Sequence, residues 1–69
     1  MANLSADRIE VTRDEQHKKW LMRIWVGDEV IRRYCNEPAS AGRAELLDAA
    51  LKTANDEGYS IDPSNVILP

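Results

Sequence analysis

Thiol and imidazole groups are nearly missing from this chain: among 69 residues there is one cysteine, Cys35, and one histidine, His17. With a single thiol no disulfide can close within the chain, and a zinc site would have to be built mostly from carboxylates. Cys35 therefore reads as a small apolar core residue, the usage that a reducing cytoplasm permits. Phenylalanine is absent, and Gly27, Gly42 and Gly58 are too scattered to form a phosphate-cradling loop. No apolar run approaches the roughly 18 residues of a membrane-spanning helix. The start, MANLSADRIE, has neither the basic nor the apolar region of a secretory signal. His17 stands in the charged segment DEQHKK and reads as a solvated side chain. The adjacent acids Asp14-Glu15 and Asp56-Glu57 cannot share a helix face and read as solubilising charge. These absences leave no catalytic, cofactor-binding or metal-binding candidate. The expectation is a non-enzymatic cytoplasmic module with no cofactor, no small-molecule substrate and no membrane partner.

What is present is concentrated between Trp20 and Cys35, which reads WLMRIWV, then Gly27-Asp28, then EVIRRYC. Two runs rich in Trp, Ile, Val and Tyr around a Gly-Asp step predict a β-hairpin with a primed turn and positive φ at Gly27. Before it, Arg8–Arg13 alternates Ile9 and Val11 with polar residues, the period-2 pattern of a half-buried strand. A helical reading competes, because Thr12 and Glu15 form a capping-box pattern and Trp20, Leu21, Ile24, Trp25 and Ile31 also fit a stripe. Gly27 would then lie mid-helix at a cost of about 1 kcal/mol, and the residue types favour strands. The hairpin is the preferred reading.

Beyond the hairpin, Asn36–Ser40 supplies helix-start residues, with Asn36 or Ser40 as candidate N-cap and Pro38 suited to a first turn. A helix over about 40–57 follows, ending at Gly58 as a left-handed cap. Its expected apolar stripe is Ala44, Leu47, Leu51 and Ala54, with Ala50 beside it and Glu45, Asp48, Lys52 and Asp56 opposite. The tail holds Tyr59, Ile61, Val66, Ile67 and Leu68, too apolar to hang free, so a short C-terminal strand or strap is expected. Residues 1–7 read as a loose N-terminus of a single domain over 1–69. The expected class is α+β: a three-stranded antiparallel meander (about 8–13, 20–26 and 29–35) packed on one helix.

Counting back from the turn sets the two faces of the hairpin. Trp20, Met22, Ile24, Val26, Ile31 and Cys35 share one face with Glu29 and Arg33, and this face should receive the helix. Leu21, Arg23, Trp25, Val30, Arg32 and Tyr34 share the other, a mixture of aromatic, aliphatic and arginine residues enriched in recognition surfaces. Arg23 faces Arg32 directly, an unfavourable pair unless something anionic lies near. Two readings stay open: this face meets a partner, or the Val66–Leu68 tail covers Trp25 and Tyr34. Charge divides along the chain, residues 1–36 carrying net +1 and residues 37–69 net −4.

A meander followed by one helix resembles, in its order of elements over residues 8–58, the double-stranded-RNA-like and arm-type DNA-binding domains of integrases. That resemblance implies a groove-reading face of Arg23, Trp25, Arg32 and Tyr34, although this chain departs from the pattern in being acidic overall. Glu45–Val66, ELLDAALKTANDEGYSIDPSNV, is similar to the C-terminal half of Nif11-type leader domains, a largely helical family that would require the rival helical reading. The leading functional expectation is a protein-binding or regulatory module that self-associates, of the size of many small bacterial or phage regulators. Its homodimer or partner contact would use the outer sheet face. The alternative is a nucleic-acid-binding module using the same face.

Overall fold

The computed structural model describes residues 4–69. Six strands, one α-helix and a short 3-10 turn follow in order: β1 (Leu4–Ser5), β2 (Arg8–Asp14), β3 (Lys19–Val26), β4 (Glu29–Cys35), α1 (Arg43–Asp56), β5 (Tyr59–Ser60), the 3-10 turn (Pro63–Asn65) and β6 (Val66–Ile67). The fold is α+β. Strands β2, β3 and β4 form the antiparallel meander, and β6 adds to it in parallel beside β2, giving the order β4-β3-β2-β6. The segment from Lys19 to Cys35 is extended throughout apart from its turn, so the helical reading of this region does not hold.

The turn explains the outcome. Gly27 has φ 59° while Asp28 keeps a negative φ, the pattern of a type II′ turn whose twist matches that of the flanking strands. The Asp7 carboxylate accepts the Gly27 N–H at 2.7 Å, satisfying the donor that such a turn leaves unpaired. Pairing then runs Val26↔Glu29, Ile24↔Ile31, Arg23↔Arg32, Leu21↔Tyr34 and Trp20↔Cys35, the register obtained by counting from the turn.

The core lies between one sheet face and the helix. Ile9 and Val11 from β2 join Trp20, Met22 and Ile24 from β3 against Leu46, Ala50 and Ala54 of α1, all buried. The buried Trp20 indole donates its N–H to the Pro38 carbonyl at 2.9 Å, which ties down the connection between β4 and α1. Cys35 is partly buried and packs on this core.

Two expectations about the helix change. It begins at Arg43, with Gly42 as N-cap in place of Asn36 or Ser40, and the Glu45 carboxylate accepts the Gly42 N–H at 3.3 Å. It also faces the sheet through Leu46, Ala50 and Ala54. Ala44 is exposed, while Leu47 and Leu51 are half-buried at the margin. Two alanines on one stripe let the helix backbone approach the sheet closely, and the larger leucines one residue on are displaced to the side. At the other end Gly58 adopts φ 90°, the left-handed cap expected there.

The N-terminal segment is tied down from Leu4 onward. Strand β1 pairs in parallel with β5, Ala6 is buried, and the Ala6 N–H donates to the Ser60 carbonyl at 2.8 Å. The loose N-terminus expected over 1–7 therefore does not extend to residues 4–7, and residues 1–3 lie outside the described residues. The apolar tail is held by strand pairing: Ile9↔Val66 and Glu10↔Ile67 place Val66 on the core side and Ile67 on the outer side. Val66 and Leu68 pack on the core, while Ile67 stands exposed on the outer side beside Glu10.

Candidate interaction surface on the outer sheet face

The strand pairing lays the outer-face residues out in rows. Arg8, Trp25 and Val30 form one row; Ile67, Glu10, Arg23 and Arg32 the next; Thr12, Leu21 and Tyr34 the third. All six residues expected on this face, Leu21, Arg23, Trp25, Val30, Arg32 and Tyr34, stand on it and are contiguous. Leu21, Arg23, Trp25 and Val30 are half-exposed, and Arg32 and Tyr34 are exposed.

The two aromatics are held differently. Trp25 donates its indole N–H to Glu10 Oε1 at 2.9 Å, and the Arg8 guanidinium lies 4.4 Å from the centre of its ring. Arg8 and Glu10 approach each other at 3.7 Å, closing a small network of indole, carboxylate and guanidinium. Trp25 is thus presented as an oriented plane. At the other end Tyr34 donates its hydroxyl to Asp14 Oδ2 at 3.0 Å, and His17 Nδ1 is 2.8 Å from the same oxygen. The His17 and Tyr34 rings are 5.6 Å apart. Asp14 also accepts the His17 backbone N–H, which shapes the β2–β3 connection. Hydrogen bonds from the His17 ring, then its backbone, hold the Asp14 carboxyl at a pKa of about 2, with the Tyr34 hydroxyl contributing further. The same Asp14 contact raises the Tyr34 phenol above its ordinary value.

The residues that sequence reasoning passed over are therefore Arg8, Glu10, Asp14 and His17. Asp14 and His17, expected to be solvated charge, orient Tyr34 across the width of β3. Asp14 is on the outer face by simple alternation from Arg8, but that its carboxylate meets Tyr34 depends on strand pairing. Between the two anchored aromatics, Arg23 and Arg32 face each other without a side-chain hydrogen bond or ion pair among the described residues. Glu10 stands opposite Arg23 but is engaged by Trp25 and Arg8.

Elsewhere the surface offers less chemistry. An open depression of about 390 Å³ is lined by Ser5, Ala6, Ser60, Ile61, Asp62 and Asn65. Its one carboxylate, Asp62, is occupied by the Ser64 N–H and hydroxyl, both at 2.9 Å, which hold it below its ordinary pKa. Among the described residues no group of three His, Cys, Asp or Glu side chains converges as metal ligands would. None of their helices is long and apolar enough to cross a membrane. No family model matches the chain, and neither a curated protein nor a solved structure does so.

Proposed function

We propose that this chain is a small non-enzymatic binding module of the cytoplasm, contacting a protein partner through the outer sheet face and self-associating. The observation that carries the reading is the contiguous row system of Trp25, Arg23, Arg32 and Tyr34 on the sheet face opposite the helix, with Arg32 and Tyr34 exposed and Trp25 and Arg23 half-exposed. Aromatic and arginine side chains are the groups that most often act as buried anchors at protein contacts. Trp25 and Tyr34 are already oriented by their hydrogen bonds, so little rotamer entropy is lost when a partner covers them. Self-association suits a core this small, because a 69-residue chain gains little margin from its own burial.

The facing, unpaired guanidinium groups of Arg23 and Arg32 favour a second reading, in which the same face binds the phosphates of a nucleic acid. Salt separates the two, since phosphate binding weakens steeply with ionic strength and an aromatic-centred protein contact does not. The test is a paired set of variants assayed for capture of a protein partner and for retention of duplex DNA and RNA oligonucleotides. Trp25→Ser with Tyr34→Ser should abolish protein capture while the circular dichroism spectrum is preserved. Arg23→Glu with Arg32→Glu should only weaken it. Oligonucleotide binding that is lost in the arginine variant and falls steeply with salt would establish the second reading in place of the first.

A further inference from the structure

Strand β4 ends the sheet on one side, and its side chains set the terms on which another strand could join. The two-residue turn makes Val26↔Glu29 a hydrogen-bonded pair, so by alternation Val30, Arg32 and Tyr34 direct their backbone N–H and C=O groups away from β3. One of these outward carbonyls is already used. Arg33 folds over the edge and donates Nη1 to the Arg32 carbonyl at 2.8 Å, while its Nε and Nη2 bond Glu57 Oε2 and Oε1 at 3.0 and 2.8 Å. Glu57 follows the last residue of α1. The guanidinium is therefore latched across the edge from the helix end, and such a latch blocks strand addition.

We propose that a second copy of this chain pairs antiparallel along β4 about a two-fold axis at Ile31, with Arg33 exchanging Glu57 for Glu29 of the second copy. This rests on the self-association part of the reading above and names its surface, the β4 edge. A two-fold axis perpendicular to the sheet puts residues of like parity opposite each other, so only a few registers exist. Centred on Ile31, the register sets Ile31 against Ile31, Glu29 against Arg33 twice, and Val30 against Arg32 with both backbone hydrogen bonds made. Centring on Arg32 or on Arg33 would oppose two like guanidinium groups, and centring on Val30 would spend half the pairing on the turn. Charge complementarity thus selects one register. Glu29 is exposed and makes no side-chain hydrogen bond or ion pair among the described residues, so it is available to the incoming Arg33. Ile31, partly exposed at the sheet edge while packing on the core, gains cover from its own symmetry mate. The two outer faces then merge into one continuous surface, doubling the Trp25–Tyr34 patch.

The experiment is light scattering across a concentration series, together with disulfide trapping at the axis. In a non-hydrogen-bonded pair the two Ile31 Cα atoms would stand about 4.5 Å apart, within disulfide range. Ile31→Cys in a Cys35→Ser background should oxidise to a covalent dimer with native circular dichroism, whereas Arg33→Cys in the same background should not. Glu57→Gln unlatches Arg33 and should tighten the dimer several-fold. Glu29→Arg should weaken it about tenfold, because each lost pair is counted twice across the axis. A dimer that forms but is neither trapped at residue 31 nor weakened by Glu29→Arg overturns the edge proposal and leaves self-association standing. If that dimer is instead lost in Trp25→Ser, the second copy sits on the outer face. A monomer at every concentration, with Ile31→Cys remaining reduced, overturns both self-association and this proposal, while partner capture by the outer face is tested by its own variants.

Discussion

Single residues carry the local decisions of this fold, and two of them are directly testable. Gly27 at φ 59° has open space where a Cβ would stand, so a side chain there meets backbone strain without steric collision. Gly27→Val should therefore cost about 1–3 kcal/mol through left-handed strain, read as a lowered denaturant midpoint with unchanged slope. Asp14 is held at a pKa of about 2, below its ordinary value of 3.8, chiefly by His17. A carboxyl whose folded pKa is depressed contributes stability that is present above the ordinary value and lost as pH falls through about 2. Urea unfolding followed between about pH 4 and pH 2 should show that loss, and Asp14→Asn should flatten it. Since Asp14 also positions Tyr34, the same variant should free the phenol and bring its raised pKa back toward the ordinary value in a spectrophotometric titration.

At the scale of elements, the helix shows how close in sequence two packing solutions can be. Leu46, Ala50 and Ala54 form an i, i+4, i+8 stripe, and Leu47, Leu51 and Ala54 form another at i, i+4, i+7, about one residue's rotation away. The more hydrophobic stripe is the natural choice from composition, yet the sheet receives the one with two alanines. Close approach to Ile9, Met22 and Ile24 is possible only where the helix is small. Leu46→Ala should consequently cost about 2–5 kcal/mol and threaten the fold of so small a chain. Leu51→Ala should cost about 1 kcal/mol, in proportion to its partial burial. Thermal melts of the two variants side by side decide the orientation: a larger loss in Leu51→Ala than in Leu46→Ala would mean that the helix presents the Leu47–Leu51 side. The Arg33–Glu57 and Lys52–Asp56 pairs are surface contacts of small energetic weight. The first still matters geometrically, because it sets where the β4 edge is covered.

For the whole molecule, the helix packs on one face of a four-stranded sheet. Among the described residues, the opposite face carries half-exposed and exposed side chains, with its two aromatics held by hydrogen bonds. Ordinary antiparallel sheets alternate apolar-in and polar-out, and here the outer face breaks that pattern with Trp25, Val30, Leu21 and Tyr34. A protein interface built on those groups should release its partner little faster at high salt, and its binding heat capacity should be negative because apolar surface is buried. Calorimetry at two temperatures checks this once a partner is in hand. A near-zero heat-capacity change with steep salt dependence would direct attention to Arg23 and Arg32 alone.

Sequence was enough for the meander, for its register and for the two faces of the hairpin. Alternation and a Gly-Asp turn are local properties, and once the turn is placed, counting fixes every partner from Val26↔Glu29 to Trp20↔Cys35. The helix was equally legible, since Ala, Leu, Glu and Lys propensities accumulate over its length and Gly58 ends it. Its rotation was not, because which stripe faces inward depends on how near the helix can come to a sheet that is distant in sequence. The same reason hid the tethering of Leu4–Asp7, whose partners lie in β5 and in the hairpin turn, and the outer-face position of Ile67. Asp14 with Tyr34, and Arg33 with Glu57, are separated by 20 and 24 residues. Only the folded chain, bringing strand ends and helix end together, could decide that these charges orient an aromatic and close an edge.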